Sequence, residues 1–222
     1  VEMLVYSRKI TENPRAKNII ETADAGKISM FEVEDDIFGE LAETSTPQGI
    51  IAVAPQRRNS PDDLKTGEGE TALLVLVDGV QDPGNLGAIV RSADAAGAGG
   101  VVLLKGTADI YNPKALRATM GSIFHLPVIQ GAGAEDVIAY LTRRGIKIVA
   151  GDPRASKALF EIDFKVPCAI AVGGEAGGIG AMIKESVDEL ARISIPGRAE
   201  SLNVAISAGI MLYEALKQRG AG

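Results

Sequence analysis

The sequence predicts an α/β protein: a mostly parallel sheet flanked by helices, preceded by a smaller α/β unit. Three observations carry this. Short apolar runs recur at 72–77, 100–104, 127–129, 146–150, 168–172 and 193–195. Amphipathic helical stretches fall between several of them, at 86–96, 113–123, 134–144 and 180–190. A polar segment rich in Pro, Gly and charge, PQRRNSPDDLKTGEGE at 55–70, separates this pattern from what precedes it. Continuous apolar strands are those buried on both faces of a parallel sheet. Strands alternating with helices form βαβ units with right-handed crossovers.

In chain order, residues 3–6 read as a strand. Asn13 and Pro14 start a helix as N-cap and first residue, running to about Ala25 with Gly26 as stop. A strand follows at 27–33, a helix at 35–42, a Thr46-Pro47-Gln48-Gly49 turn and a strand at 50–54. Arg8, Lys9, Arg15 and Lys17 cluster here with only Glu12 between them. Two readings stand: a solvated surface, or a patch that contacts phosphates. The segment at 55–70 reads as a linker, with a boundary near Gly69.

Composition narrows the function. The 222 residues suit one large domain or two small ones, and the net charge is −6. A protein that coats nucleic acid broadly is usually basic, so RNA binding here must use a local patch. One Cys (Cys168) and one His (His125) exclude a disulfide framework, a cysteine zinc site and a multi-histidine metal centre. No signal peptide and no bilayer-length apolar run is present, so the expected location is the cytoplasm. The chain opens at Val1 and almost at once enters an apolar segment, which predicts that residues precede it.

Three stretches each follow a strand, and ligands of open α/β sheets bind at strand carboxyl ends. The first is DGVQDPGNLGAIVRSADAAGAGG at 78–100. Its Asp82-Pro83-Gly84-Asn85 turn feeds a helix with free N-terminal N–H groups, and Arg91 lies two turns in, with Asp94 at i+3. The plain alternative is a cap with a helix-surface ion pair between Arg91 and Asp94, worth about 0.2–0.5 kcal/mol. The second is GGEAGGIG at 173–180. Its glycines let backbone approach a ligand, and the alternative is a tight turn with a capping Glu175. The third is ISIPGRAESLNVAISAGIMLYEAL at 193–216. Ser201 is the expected N-cap of a last helix, with Leu202, Ala205, Ile206, Gly209, Ile210, Leu212 and Tyr213 near one face. Gly178-Ile179-Gly180 does not continue into a dinucleotide fingerprint, because Ile183 occupies the third glycine's place, and no P-loop exists. Pattern alone gives an α/β protein with a glycine-lined ligand site.

Together the three stretches resemble the SpoU (TrmH-type) branch of the SPOUT RNA methyltransferases, over about 71–222. Asp78, Asp82, Pro83, Asn85, Gly87 and Arg91 match that family's D-x-x-x-D-P-x-N-x-G-x-x-x-R motif. Gly173, Glu175 and Gly178 match its G-x-E-x-x-G motif. Ile195, Pro196, Gly197 and Ser201 to Ala205 match its last motif, except that Gly197 follows Pro196 directly. Residues 1–54 are similar to the later half of an L30e-like RNA-binding domain.

The resemblance implies an S-adenosyl-L-methionine-dependent methyltransferase acting on a ribose 2′-hydroxyl of ribosomal or transfer RNA. It implies a C-terminal trefoil knot and a homodimer with the active site at its interface, and neither metal nor membrane. Cofactor contacts would come from Leu104, Lys105 and Gly106; from Gly173, Gly174, Glu175 and Gly178; and from Ile195, Pro196, Ser201, Leu202 and Asn203. Arg91 would lie closest to the chemistry and contact RNA. Asn85, Glu175, Ser201 and Asn203 would orient it and the target nucleotide, and Arg8, Lys9, Arg15 and Lys17 would contact RNA. His125, between a helix and a strand, reads as structural. Two alternatives stand beside this: an inactive RNA-binding or assembly protein on the same fold, and a flavodoxin-like nucleotide or flavin enzyme.

Overall fold

A computed structural model of the chain describes residues 1–42, 44, 46–66, 72–175 and 177–220. It divides into two compact units, Val1–Arg57 and Arg58–Gly222. The boundary expected near Gly69 lies outside the described residues.

In the first unit, β1 (Met3–Ser7) is the central strand. It pairs in parallel with β2 (Ser29–Val33) and antiparallel with β3 (Ile50–Val53). Helix α1 (Pro14–Ala25) starts where its capping chemistry dictates: Asn13 Oδ1 accepts from the amides of Arg15 and Ala16. Helix α2 (Asp35–Leu41) presses Phe38, 2% exposed, into a small core with Leu4, Ala16 and Ala23. Gly49, with φ +80°, shapes the turn before β3, and its carbonyl accepts from the Ser7 amide at 2.9 Å.

The second unit is a seven-stranded sheet, every pairing in it parallel. Its strands are β4 (Leu73–Asp78), β5 (Gly100–Leu104), β6 (Val128–Ala132), β7 (Lys147–Gly151), β8 (Lys157–Ala158), β9 (Cys168–Gly173) and β10 (Glu189–Arg192), ordered β6-β5-β4-β9-β7-β10-β8. The helices are α3 (Pro83–Ala95), α4 (Pro113–Thr119), α5 (Ala134–Arg143), α6 (Ala181–Glu185) and α7 (Val204–Gln218). The period of two along each strand divides the core. Leu73, Val75 and Val77 join Val101, Leu103, Cys168 and Ile170 against α3, α4 and α7. Leu74 and Leu76 join Val102, Leu104, Ala169 and Ala171 against α5 and α6. Helices α3 and α4 touch through backbone: a Cβ on Gly87 would lie 2.4 Å from the Ala115 carbonyl oxygen.

Several expectations shift. The helix expected at 180–190 ends at Glu185, because Asp188 docks on β7: its amide donates to the Ile148 carbonyl and its Oδ2 accepts from the Ile148 amide. Strand β10 therefore begins at Glu189, and Ile193 to Ile195, expected as the strand, leave the sheet. The helix expected to reach residue 123 stops at Thr119, where Met120 and Gly121 take φ +50° and +94°. The last helix is capped by Asn203 rather than Ser201, its Oδ1 accepting from the amides of Ala205 and Ile206. Its buried face is Val204, Ala208, Met211, Leu212 and Ala215, whereas Ile206 and Tyr213 are more than half exposed. From residue 58 to residue 66, the polar stretch read as a linker is part of the second unit. Asn59 Nδ2 donates to the Val128 carbonyl, the Lys65 amide to the Gly99 carbonyl and the Tyr140 hydroxyl to the Pro61 carbonyl.

Candidate active site

Strand β9 lies between β4 and β7. The carboxyl ends of β7, β9 and β10 thereby meet the segment leading into α7. A cavity of about 410 Å³ opens there, within the usual range for small-ligand sites. Its walls include Gly151, Asp152 and Pro153 after β7, Gly173, Gly174, Glu175 and Gly178 after β9, and Ile193, Ile195, Ser201, Leu202 and Asn203 before α7. Ser207 and Met211 of α7 complete it.

The glycines are required by contact. A Cβ on Gly173 would lie 2.0 Å from the Gly178 carbonyl carbon, and one on Gly174 would lie 2.5 Å from the Gly79 carbonyl oxygen. The Gly178 amide donates to the Gly174 carbonyl at 2.9 Å and closes the turn. Asp78, from the first motif, anchors both sides of it. Its carbonyl accepts from the Gly174 amide at 2.9 Å, and its Oδ2 accepts from the Gly180 amide at 2.6 Å.

A relay of side chains joins the three motifs. Asn203 Nδ2 donates to Asn85 Oδ1 at 3.0 Å, and Asn85 Nδ2 donates to Glu175 Oε1 at 2.6 Å. Its direction follows from chemistry. Asn203 Oδ1 is occupied capping α7, so its amide nitrogen faces Asn85. Asn85 must then accept with oxygen and donate with nitrogen, which suits a carboxylate. Below the relay, Asp82 caps α3 by accepting from the Asn85 amide and pairs with Lys114 Nζ at 2.7 Å. The hydrogen bond from Lys114, then that from the Asn85 amide, holds the Asp82 carboxyl below the usual carboxylate range.

Arg91 lies six residues past Asn85 on α3, about 9 Å along the axis at 1.5 Å per residue. It is exposed and makes no hydrogen bond or ion pair among the described residues. The pairing with Asp94 expected as the plain alternative is absent among them: Asp94 Oδ2 instead meets His125 Nδ1 at 2.9 Å. Burial alone would raise the Asp94 carboxyl, but hydrogen bonds from His125 and Ser122 outweigh it and hold the group low. Arg91 keeps its charge and its donors for something else.

Of the residues expected to hold a cofactor, Leu104, Lys105, Gly106 and Pro196 do not line the cavity. Leu104 ends β5 and Lys105 and Gly106 follow it, and the sheet order sets β5 two strands from β9. Gly106 and Thr107 brace the loop after β4: the Gly106 carbonyl accepts from Gln81 Nε2, and Thr107 Oγ1 accepts from the Gly79 amide. The wall expected from Leu104 to Gly106 comes from Gly151 to Pro153. The signal for it is a Gly-Asp-Pro turn at the end of an apolar run, the same cue that marks the other strand ends. The basic residues of the first unit are largely paired. Arg8 meets Glu32 and Glu34, Lys9 meets Asp35 and Lys17 meets Glu21, all exposed. Glu32, Glu34 and Asp35 arrive from the end of β2 through the start of α2, which the local count around Glu12 does not include.

The cavity fits S-adenosyl-L-methionine by its donor set. Backbone and glycine surround the turn, apolar Ile193, Ile195, Leu202 and Met211 offer surface for an adenosine, and Ser201, Ser207, Asp152 and Glu175 offer polar and anionic partners. Among the described residues no group of His, Cys, Asp and Glu is placed to hold a metal, and no helix is long and apolar enough to cross a membrane.

The fold is shared with RNA-modifying methyltransferases of known structure. It superposes on the SpoU methyltransferase AviRb from Streptomyces viridochromogenes with a TM-score of 0.89 and 30% identity, over 100% of this chain and 83% of that one. An AdoMet-bound rRNA methyltransferase from Sinorhizobium meliloti gives 0.85 and 34%, over 97% and 79%. In sequence the chain is 36% identical to the Bacillus subtilis 23S rRNA (guanosine(2553)-2′-O)-methyltransferase RlmP, over 92% of this chain and 77% of that one. The profile of the SpoU rRNA Methylase family matches residues 72–213, and one described as RNA 2′-O ribose methyltransferase substrate binding matches residues 1–60. The chain belongs to the SpoU rRNA methylase family. It is an S-adenosyl-L-methionine-dependent RNA 2′-O-ribose methyltransferase.

Proposed function

We propose that the cavity beside β7, β9 and β10 holds the methyl donor and that Arg91 engages the target ribose at its mouth. One observation carries this reading: the Asn203–Asn85–Glu175 relay, which locks the helix bearing Arg91 to the loop and helix that wall the cavity. Bound S-adenosyl-L-methionine supplies a methyl group already activated on a sulfonium. The protein's task is alignment, exclusion of water and help in removing a proton from a weakly nucleophilic hydroxyl. An arginine side chain is a poor general base, so Arg91 acts in another way. Its guanidinium stabilises the alkoxide that develops on the ribose oxygen and holds the neighbouring phosphate, while the proton leaves to phosphate or water. Asn85 and Glu175 set the position of the α3 N-terminus, Asn203 sets the start of α7, and Ser201 lies at the cavity wall for the donor or nucleotide.

The substrate is ribosomal or transfer RNA, and Arg8, Lys9, Arg15 and Lys17 of the first unit give it a local contact surface. The trefoil knot belongs to the same reading, supported by the insertion of β9 between β4 and β7 and by the return of 193–203 to the end of β9. So does a homodimer in the cytoplasm. Ile206, Ile210 and Tyr213, at i, i+4 and i+7 on α7, are 55%, 36% and 69% exposed and form an apolar stripe suited to a second copy. The test is transfer of labelled methyl groups from S-adenosyl-L-methionine to total RNA by the purified chain, with the modified nucleotide mapped. Absence of 2′-O-methyl product on every RNA class overturns the reading.

A further inference from the structure

The cavity carries a charge pattern that a glycine-lined binding site does not require. Two carboxylate residues, Asp152 and Glu175, line it, and no lysine, arginine or histidine does among the described residues. Glu175 is engaged through Oε1 by Asn85. Asp152 follows β7 directly and is tied there by its amide, which donates to the Ala191 carbonyl at 3.0 Å. Its Oδ1 accepts from the Arg154 amide at 2.8 Å and lies 3.4 Å from Arg154 Nε. Its Oδ2 has no hydrogen-bond partner among the described residues. The Arg154 side chain is 84% exposed and that of Asp152 only 19%, so solvent screens the guanidinium more than the carboxylate. The bond from the Arg154 amide also holds the Asp152 carboxyl below its ordinary range, and the group is anionic at neutral pH.

We infer that Asp152 is a specificity-determining residue of the donor site, making the cavity prefer a cationic sulfonium ligand over the neutral thioether that transfer leaves behind. This rests on the function proposed above. In that transfer a carbon–oxygen bond forms at the ribose, the carbon–sulfur bond breaks and sulfur keeps its electron pair. With its amino-acid group zwitterionic, the ligand therefore passes from net +1 to net 0. Arg154, 84% exposed, and Lys184 offset the Asp152 charge only from outside the lining, so this wall attracts the first species more than the second. The cavity loads methyl donor selectively and loosens its hold once the methyl group has gone.

The test is calorimetry on the full chain with three probes: S-adenosyl-L-methionine, its cationic amine analogue sinefungin, and S-adenosylhomocysteine. Asp152→Asn keeps the acceptor for the Arg154 amide and removes only the charge. It should weaken both cationic ligands by about tenfold and shift S-adenosylhomocysteine by less than about twofold, the order expected for one unit charge across a partly wet cavity. A parallel loss for all three ligands, or no change for any, overturns the inference. The wild-type chain gives a second reading that does not depend on the variant's folding. Rising salt should narrow the gap between S-adenosyl-L-methionine and S-adenosylhomocysteine, and a gap that ignores salt also overturns it. A wild-type chain that binds none of the three instead overturns the assignment of the cavity as a donor site.

Discussion

Asn203 caps helix α7 with its oxygen and, 118 positions away in sequence, donates its amide hydrogen to Asn85 at 3.0 Å. One side chain thus serves as both a folding signal and a brace for the site. Asn203→Ala should cost about 1 kcal/mol through the lost cap, lowering the melting temperature by roughly 2–4 °C. It should also slow methyl transfer, because Asn85 loses the partner that fixes its orientation. Asn203→Asp separates the two effects: it retains the cap, so stability should hold while transfer still falls.

Arg91→Ala should reduce the transfer rate by about 10²–10³-fold, the scale of losing one preorganised donor to a developing oxyanion. Affinity for S-adenosyl-L-methionine should stay near the wild-type value by calorimetry, since Arg91 does not line the cavity. A variant that keeps its rate removes Arg91 from the chemistry.

Gly173→Ala places a methyl group 2.0–2.2 Å from the backbone of Gly178 and Ile179. The turn must open, at a cost of about 1–3 kcal/mol or more. Donor binding should disappear while much of the sheet remains, which calorimetry and circular dichroism would report together. Gly177→Ala, where nothing lies within 4 Å, is the matched control and should bind normally.

The sequence made most of the sheet legible and less of the site. Continuous apolar runs such as Leu73 to Val77 and Cys168 to Val172 read directly as buried strands, and Asn13-Pro14 marked a helix start that the structure keeps. Residues 186–195 misled because Asp188 is recruited by Ile148 of β7, a partner 40 positions away that no local pattern displays. Ser201 and Asn203 are both good caps, and only the tertiary link to Asn85 distinguishes them. Asp152 and Pro153 were missed as cavity residues for a related reason. Sheet order, which sets β7 beside β9 and β5 two strands off, is a long-range property.

Acid should weaken the second unit through Asp94. Its folded carboxyl is held low by His125 and Ser122 against the opposing effect of burial. The contribution is therefore present above the pKa of an unfolded Asp, about 3.9, and is lost as pH falls through the lower folded value. Asp94→Asn should remove this part of the acid sensitivity, seen as a flatter dependence of denaturation midpoint on pH below about 4.

Arg219 donates to the carbonyls of Ala72, Phe164 and Val166 and approaches Cys168 Sγ at 3.4 Å. The Ala72 carbonyl also accepts from the Cys168 amide, so Arg219→Ala strands chiefly the Phe164 and Val166 carbonyls and should destabilise the unit by about 2–3 kcal/mol, readable in urea midpoints. Transfer measured well below the melting point should be nearly unchanged.

Every wall of the cavity beside β7, β9 and β10 lies between Gly151 and Met211. During synthesis, then, β4, β5 and β6 can leave the ribosome and pair long before any pocket exists. The cavity is not enclosed until α7 has emerged and Asn203 has found Asn85. A chain stalled before α7 therefore carries the early strands without all the walls of this cavity.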